Sequence, residues 1–377
     1  MSSSSFKMKN QNNKPQLIVV KVGTTTLTDD NGCIDRAFIA NLVNQLVKQV
    51  KRGAKCVLVT SGAIRAGCER LNISTKSRTM PEKQAAAAVG QGLLLHTYTE
   101  MFDKFGITAA QVLLTKDDFG DRGRYLNARN TLNTLLRLGC VPIINENDTV
   151  AVEEIRFGDN DTLAAMVASV LGADLLILLS DVSGLFDGSP DAPESRLISE
   201  VRRMTPQIRA FAGESQSGVG SGGMRTKLDA AEMCMRSGVQ MVIAHGRLPN
   251  VIEEVVDGKQ LGTRFIPSAK LSHRKRWIAH SSVRGTVVVN EGARKMVAES
   301  GKSLLPAGIV DVVGGFGAGA VVDVKDEKGE RFARGIVNYS ADDIRRIMGL
   351  RTSEIERVLG TGDYEEVIHR DNMVIGV

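Results

Sequence analysis

From Leu17 onward, short runs of apolar, β-branched residues alternate with longer segments whose apolar residues recur at helical spacing. This alternation predicts stacked βα units, and hence a three-layer α/β domain with a mostly parallel sheet. The predicted strands are LIVVKVG, KCVLVTSG, ITAAQVLLT, CVPIIN, DLLILLSDV and VQMVIAHG. The predicted helices are RAFIANLVNQLVKQVKRG, AIRAGCERL, EKQAAAAVGQGLLLHTYTEMFDKFG, RYLNARNTLNTLLRLG, DTLAAMVASVLGA and GGMRTKLDAAEMCMRSG.

The pattern changes after residue 265, where the apolar runs become short and glycines interrupt them. TVVVN, GIVDVVGGFGAGAVVDVKD and ERFARGIVNY, with few long helices near them, predict a small, mainly β domain. A chain of 377 residues also exceeds the usual size of one hydrophobic core. We therefore expect a disordered tail at residues 1–16, an α/β domain at 17–265, a linker at 266–280, and a β domain with the C-terminal tail at 281–377.

Charge and aromatic content bear on the partners of the chain. Lys and Arg number 48 and Asp and Glu 43, which gives a formal net charge of +5, and aromatic residues make up 4% of the chain. A balance this close to neutral does not require a polyanionic partner, and scarce aromatic side chains offer few surfaces on which bases could stack. RNA is therefore not an expected partner.

The cysteines and the apolar runs indicate the compartment. Five cysteines, an odd number, are scattered without C-x-x-C spacing, which argues against a disulfide framework and a zinc site. The N-terminal MSSSSFKMKNQNNKPQ has no apolar core, and the longest apolar run, near LLILL, is too short to cross a bilayer. We expect a cytosolic protein with neither a signal peptide nor a membrane anchor.

Polar sequence follows four of the predicted strands. Ligands of an open parallel sheet bind beyond the carboxyl ends of its strands. Here those ends read KVGTTT, TSGA, NENDTV and SDVSG, each with polar residues or glycine where a loop or helix begins. One such end is expected by chance, whereas four together predict a single binding site at that edge of the sheet.

Two segments could bind phosphate. Lys21 ends an apolar strand beside Gly23, so its ammonium and nearby N–H groups could hold an anion, but a lysine that simply extends into solvent is an equal alternative. SGVGSGGMRTK contains G-x-G-x-x-G, yet no strand precedes it, so we reject a dinucleotide fingerprint. A glycine-rich loop before a helix, with Lys227 in the first turn, still predicts an anion site; the alternative is a flexible surface loop.

The segment INENDTVAVEEIRFGDND concentrates carboxylates and carboxamides just after a buried strand. Turns and a helix N-cap account for some of them, because Asn and Asp favour both. They do not account for Asn145, Asn147 and Asp148 together, at a strand end on the expected ligand side. We interpret these residues as part of a pocket for a polar substrate.

Six segments occur in a fixed order: VVKVGTTTL, VTSGAI, INENDTVA, FGDND, SDVSGLFDGSP and GSGGMRTK. As a set they resemble the glutamate 5-kinases of the amino-acid kinase family, over nearly the whole chain from Leu17. In the C-terminal region, GTVVVNEGA, SLLPAGI and ARGIVNYSADDIRRI resemble the PUA domain. The resemblance implies an amino-acid kinase sandwich with a mostly parallel sheet, followed by a small, mainly β, PUA-like domain.

This resemblance implies transfer of the ATP γ-phosphoryl group to the side-chain carboxylate of L-glutamate, which yields glutamyl 5-phosphate for proline synthesis. By resemblance, Lys21 and Lys227 neutralise the transferring group, and Asp161 holds the two lysines in place. Asp148 would pair with the substrate α-ammonium, while carboxamides supply neutral hydrogen bonds. The implied substrate contacts are Ser61, Asn145, Asn147, Asp148 and Asn160.

The resemblance also implies a nucleotide site. Mg²⁺ would arrive with ATP, bound mainly by phosphate oxygens and water rather than by a protein cage. Two positions depart from the family pattern: Ser180 stands where Thr is expected, and Arg225, where a small residue is expected, either contacts a phosphate or faces solvent. The implied nucleotide contacts are Lys21, Ser180, Asp181, Ser221, Gly222, Gly223, Met224, Arg225, Thr226 and Lys227.

Partners and alternatives complete the prediction. The resemblance implies inhibition by proline at or overlapping the glutamate pocket, and a dimer or tetramer; release of the acyl phosphate or handover to the next enzyme of the pathway both stay open. Kinases for acetylglutamate, aspartate, carbamate or uridylate are the nearest alternatives. An RNA-binding role would rest on the PUA resemblance and a basic cluster, for which we favour a solvated linker because the domain is nearly neutral. That cluster comprises Lys270, His273, Arg274, Lys275, Arg276 and Trp277.

Overall fold

The computed structural model describes residues 14–29, 31–74, 79–150, 160–190, 192, 194–212, 223–267, 273–360 and 364–376. Residues 1–13 of the predicted tail lie outside this range, and so do the predicted nucleotide contacts Ser221 and Gly222. Lys270 of the basic cluster lies outside it as well.

The larger sheet and its helices occupy the first two thirds of the chain. Its strands are β1 (Leu17–Val22), β2 (Lys55–Val59), β3 (Ala109–Leu114), β4 (Val141–Glu146), β5 (Leu175–Ser180), β6 (Glu200–Val201), β7 (Gln240–His245) and β8 (Thr263–Phe265). The helices are α1 (Thr24–Leu27), α2 (Arg36–Lys51), α3 (Ala63–Leu71), α4 (Met80–Asp103), α5 (Asp117–Gly120), α6 (Arg122–Arg137), α7 (Asn160–Leu171), α8 (Pro206–Ala210), α9 (Met224–Ser237) and α10 (Val251–Val256).

The strand order of this sheet is β3-β4-β2-β1-β5-β7-β8-β6. Neighbouring strands run parallel, except that β7 and β8 are antiparallel. Along β1, Val19 packs into one apolar layer, whereas Ile18 and Val20 pack into another. The first layer is covered by α6, α7 and α9, and the second by α2, α4 and α10. The structure confirms the predicted three-layer α/β fold with a mostly parallel sheet.

A second sheet follows. Its strands are β9 (Thr286–Val289), β10 (Ile309–Val313), β11 (Val321–Asp326), β12 (Arg331–Ile336) and β13 (Met373–Ile375), in the order β10-β9-β11-β12-β13. The accompanying helices are α11 (His273–His280), α12 (Glu291–Ala298), α13 (Ala341–Ile347) and α14 (Ile355–Leu359), with short 3₁₀ turns at Pro306–Gly308, Thr352–Glu354 and Arg370–Asn372. This sheet has its own apolar core, so the predicted β-rich C-terminal region is confirmed.

Helix α11 joins the two parts. Trp277 on α11 is buried and packs edge-on against Tyr125 of α6, with ring centroids 6.4 Å apart. Arg334 of β12 donates from Nη1 to the carbonyl oxygen of Ala279 at 2.8 Å. The segment predicted to be a linker therefore contains a helix that contacts both the α/β domain and the C-terminal domain. Because Trp277 is buried, its indole is not available as a surface on which bases could stack.

Helices α3 and α4 approach each other at two glycines. A Cβ added at Gly90 would overlap the carbonyl oxygen of Ala63, and one added at Gly67 would overlap that of Ala86. Both obstructing atoms are backbone, which cannot rotate away as a flexible side chain could. The crossing of these two helices therefore depends on the absence of side chains at both positions.

This crossing gives a matched test within α4. We expect Gly90→Ala to lower the free energy of unfolding by about 3 kcal/mol, because the methyl group forces the helices apart. Gly92 is exposed with open space around it, so Gly92→Ala should raise stability by about 0.5–1 kcal/mol through helix propensity. Urea unfolding measures both changes in the free energy of unfolding, provided that its dependence on urea concentration is the same for the variants and the wild type. A shift in the same direction for the two variants would contradict the close approach.

All five cysteines are free, and three of them are buried. Cys56, Cys68 and Cys234 belong to the buried core. Burial raises the pKa of the Cys56 thiol to about 12 and that of Cys234 further still. These thiols act as apolar core atoms rather than as nucleophiles.

Among the described residues, every helix is too short or too polar to span a bilayer.

Candidate active site

The polar strand ends meet at one edge of the larger sheet. Lys21 of β1 lies in register with Val59 of β2 and with Leu178 of β5. Because β4, β2, β1 and β5 are neighbours and parallel, the residues after them emerge on the same side. The amino end of α7 lies over this edge and brings Asn160 and Asp161 to it. The structure thus brings together chain segments that are far apart in sequence.

Lys21, Asp161 and Lys227 form a buried charge cluster at this edge. The Lys21 ammonium forms an ion pair with Asp161 Oδ1, and Lys227 Nζ lies 3.1 Å from Asp161 Oδ2. Asp161 is fully buried, and Lys21 and Lys227 are only 5% and 6% exposed. One carboxylate therefore holds two ammonium groups and keeps their mutual repulsion in check.

Local structure favours the carboxylate of this cluster and leaves the cluster as a whole electropositive. Asp161 lies in the first turn of α7, where the helix dipole favours a carboxylate. Lys227 lies in the first turn of α9, where the same dipole disfavours a cation. The cluster carries two cations and one anion, and the amino end of α9 adds further positive potential. Such an arrangement attracts a polyanion such as a nucleotide phosphate.

The amino end of α9 contributes backbone donors. Gly223 is its N-cap residue and has no side chain to occupy the first-turn N–H groups, which have no acceptor within the helix. Thr226 donates its hydroxyl back to the carbonyl oxygen of Gly223 at 2.8 Å, which fixes the turn. Met224 is half-buried and Arg225 is exposed. The anion site predicted at this glycine-rich loop therefore has Lys227 and the first-turn N–H groups at the same helix end.

The other predicted nucleotide residues lie at the end of β5. Ser180 is buried and donates from Oγ to Asp181 Oδ1 at 2.9 Å, and Asp181 itself is exposed. Ser180 is in register with His245 of β7, and its carbonyl oxygen accepts from the N–H of Gly246. The hydroxyl thus orients Asp181, a role that serine and threonine share.

The predicted substrate residues form a carboxamide cluster beside the charge cluster. Asn160 Nδ2 shares its two protons among three acceptors: the carbonyl oxygen of Thr60 at 2.8 Å, Ser61 Oγ at 2.8 Å and Asn145 Oδ1 at 2.9 Å. Since Asn160 and Asp161 are adjacent, the two clusters are joined through the first turn of α7. Ser61, Asn145 and Asn160 are therefore brought together.

Asn147 and Asp148 lie in the turn that follows β4. Asn147 uses its side chain within that turn, where Oδ1 accepts from the Thr149 hydroxyl at 2.6 Å. Its N–H donates to the carbonyl oxygen of Leu114 at the end of β3. Asp148 is buried in the same turn. Turn formation therefore occupies Asn147 Oδ1, and the burial of Asp148 suits a charged partner.

Two residues behind the pocket, Gln91 and Tyr98, were not predicted from the sequence. Gln91 of α4 accepts a hydrogen bond from Asn145. About two turns further along α4, the Tyr98 hydroxyl lies 2.9 Å from Thr60 Oγ1. Burial raises the pKa of Tyr98, so the hydroxyl stays protonated and can donate. Their partners are 54 and 38 residues away in the chain. The local feature that could have indicated Gln91 and Tyr98 is the presence of isolated polar residues on the buried side of an alanine-rich helix.

Comparison with known proteins is consistent with this geometry. The sequence profile of the amino acid kinase family matches residues 16–245. The chain belongs to the amino acid kinase family. The PUA domain profile matches residues 285–359. The amino acid kinase profile covers the charge cluster and the carboxamide cluster alike, and the PUA profile covers most of the second sheet.

Full-length relatives carry the match further. The chain is 49% identical to "Glutamate 5-kinase" of Thermoanaerobacter sp. (strain X514) over 361 residues, which is 95% of this chain and 97% of the relative. It is 50% identical to "Glutamate 5-kinase" of Moorella thermoacetica over 361 residues, 95% of this chain and 96% of the relative. The resemblance inferred from the six motifs and the C-terminal region is confirmed.

A solved structure shows the same fold. Carbamate kinase from Giardia lamblia bound to AMP-PNP superposes with a TM-score of 0.50, at 18% identity, over 67% of this chain and 98% of that one. The shared part corresponds in extent to the larger sheet and its helices, and the C-terminal sheet is additional.

Proposed function

We propose that this amino acid kinase is a glutamate 5-kinase. It transfers the γ-phosphoryl group of ATP to the side-chain carboxylate of L-glutamate, which forms L-glutamyl 5-phosphate in the first step of proline biosynthesis. The observation that carries the proposal is the joining of a buried two-lysine cluster to a carboxamide pocket through Asn160 and Asp161. The names of the full-length relatives support the same activity.

The nucleotide belongs at the positive cluster. Lys21, Lys227 and the first-turn N–H groups of α9 would hold the phosphates, with Ser180 and Asp181 alongside. We extend the nucleotide site to Ser221, Gly222, Gly223, Met224, Arg225 and Thr226. Mg²⁺ would enter with ATP and would be bound by phosphate oxygens and water, because this octahedral ion retains much of its hydration.

The amino acid belongs at the carboxamide cluster. Ser61, Asn145, Asn147 and Asn160 would supply neutral hydrogen bonds, and Asp148 would pair with the α-ammonium. Neutral groups suit this substrate, because glutamate carries two carboxylates that further carboxylates in the pocket would repel. Because Asn160 and Asp161 are adjacent, the side-chain carboxylate bound in this pocket would face the phosphates held by the lysines.

The reaction needs positioning and charge neutralisation, but no covalent enzyme intermediate. A side-chain carboxylate oxygen attacks the γ-phosphorus, the bond from that phosphorus to the β–γ bridging oxygen breaks, and ADP leaves. The attacking carboxylate is already ionised, so no general base is required. Lys21 and Lys227 offset the negative charge that two anions bring together, and Asp161 keeps both ammonium groups aligned.

Regulation and assembly are part of the same proposal. Proline carries the α-amino and α-carboxyl groups of glutamate and would compete for the pocket as a feedback inhibitor.

Val89 and Leu93, one turn apart on α4, are exposed apolar residues that suit a dimer or tetramer contact. The free cysteines support a reducing cytosol. Handover of the acyl phosphate to the next enzyme would protect it from hydrolysis.

An acceptor panel tests the proposed reaction. We expect ADP release from Mg-ATP with L-glutamate and with none of N-acetyl-L-glutamate, L-aspartate, carbamate or uridylate. Hydroxylamine should trap the acyl phosphate as a hydroxamate, and proline should slow the reaction at subsaturating glutamate. Turnover on another acceptor without turnover on glutamate would overturn the substrate assignment and keep the fold.

A further inference from the structure

Gln91 connects helix α4 to the end of strand β4. Its side chain is 7% exposed and lies behind the carboxamide cluster. Gln91 Nε2 donates to the carbonyl oxygen of Glu146 at 3.1 Å, and Gln91 Oε1 accepts from Asn145 Nδ2 at 3.2 Å. Gln91 therefore holds both the backbone after Asn145 and the Asn145 side chain itself.

The hydrogen bonds of this cluster have one consistent direction. The carbonyl oxygen of Glu146 can only accept, so it fixes which end of the Gln91 amide faces it. Gln91 Oε1 then requires the NH₂ group of Asn145, and Asn145 Oδ1 turns toward Asn160 Nδ2 at 2.9 Å. The N–H of Glu146 also donates to Asn145 Oδ1 at 2.9 Å. Two backbone groups of Glu146 thus fix the orientation of two side-chain amides.

The far end of the chain of amides is fixed in the same way. Asn160 Nδ2 donates to the carbonyl oxygen of Thr60, which can only accept. The NH₂ group of Asn160 therefore faces the protein, and its carbonyl oxygen faces the other way. Asn160 Oδ1 is buried and has no hydrogen-bond partner among the residues the structure describes. A buried acceptor of this kind is costly unless a donor reaches it.

Glutamate offers one donor group, the α-ammonium, since both of its carboxylates only accept. We propose that Gln91 is a positioning residue that acts through Asn145 and, together with the Thr60 carbonyl oxygen, holds Asn160 so that its Oδ1 accepts from the α-ammonium of the substrate. This inference rests on the proposed function. The ammonium has three protons, so it can donate to Asn160 and pair with Asp148 at the same time. Gln91 touches no substrate atom and sets the specificity of a residue that does.

The test is Gln91→Glu, which preserves the shape of the side chain but cannot donate to the carbonyl oxygen of Glu146 once ionised. We expect KM for glutamate to rise about tenfold, which is the size of one hydrogen bond to a charged group. KM for ATP and kcat should stay within about twofold. Glutarate, which is glutamate without the α-ammonium, should keep its inhibition constant within about twofold, so the preference for glutamate over glutarate should fall about tenfold.

Gln45→Glu is the matched control. Gln45 is also buried, lies on α2 and accepts from the N–H of Ile252, a bond that a glutamate side chain would keep. We expect this variant to leave the preference for glutamate over glutarate unchanged. Weakened binding of glutamate and glutarate by the same factor in Gln91→Glu would overturn the inference, because it would indicate general damage to the pocket. Wild-type protein that makes no hydroxamate from glutamate would overturn the proposed function itself.

Discussion

Asp161→Asn is expected to lower the free energy of unfolding by about 3–5 kcal/mol and to reduce kcat at least about 100-fold. The stability loss follows from burial, since Asp161 is fully buried between the Lys21 and Lys227 ammonium groups. A neutral amide of the same shape removes the carboxylate that pairs with both buried cations. Removal of one partner of a buried ion pair costs far more stability than the intact pair contributes. The activity loss follows because the lysines repel each other and leave their aligned positions.

Asp257→Asn is the control for this variant. Asp257 also bridges two cations, with Lys14 Nζ at 2.8 Å and Arg52 Nη1 at 3.4 Å, but it lies at the surface. We expect this substitution to cost about 0–1 kcal/mol, because exposed ion pairs contribute little, and to leave kcat unchanged. Urea unfolding and steady-state kinetics on both variants give the comparison. Equal stability losses at the two positions would show that burial of the charge cluster is not what makes Asp161 important.

Strands and their ligand-bearing ends are local properties, and the sequence predicted them closely. Lys21, Asn145 and Ser180 each follow a run of apolar residues within one strand, so alternation and composition locate them. The helix predicted to end at Gly53 ends at Lys51, two residues earlier, and Gly53 adopts the positive φ that glycine favours after a helix. Strands β6 and β8 were not predicted, because with two and three residues they are too short to show a hydrophobic period.

Contacts between distant segments were beyond the sequence pattern. Residue types indicated Lys21 and Lys227 separately as phosphate-binding candidates, and only the family resemblance joined them to Asp161. The pairing depends on α7 and α9 lying over the same sheet edge, which is a tertiary property. Gln91 shows most clearly the limit of prediction from sequence. Its partner Asn145 is 54 residues away, and the alanine-rich helix that carries Gln91 contains no motif that would indicate the contact.

Lys227→Met should separate catalysis from stability. Lys227 lies 3.1 Å from Asp161 Oδ2, and its loss leaves Asp161 still paired with Lys21. We therefore expect a smaller stability loss than for Asp161→Asn, because one carboxylate and one ammonium remain matched. We expect kcat to fall by about 10²–10³, the usual effect of removing one group that stabilises transition-state charge. KM for glutamate should change little, since the carboxamide cluster does not include Lys227.

The split between kcat and KM is what makes this variant informative. A group that binds ATP equally well before and during phosphoryl transfer would raise KM for ATP and leave kcat unchanged. A group that acts on the charge developing between the two anions lowers kcat at saturating ATP and glutamate. Lys259→Met, which removes an exposed lysine paired with Glu254, should leave kcat within about twofold and serves as the control. A raised KM for ATP with normal kcat in Lys227→Met would assign Lys227 to nucleotide binding alone, and Lys21 would then be the remaining candidate for stabilising the transferred group.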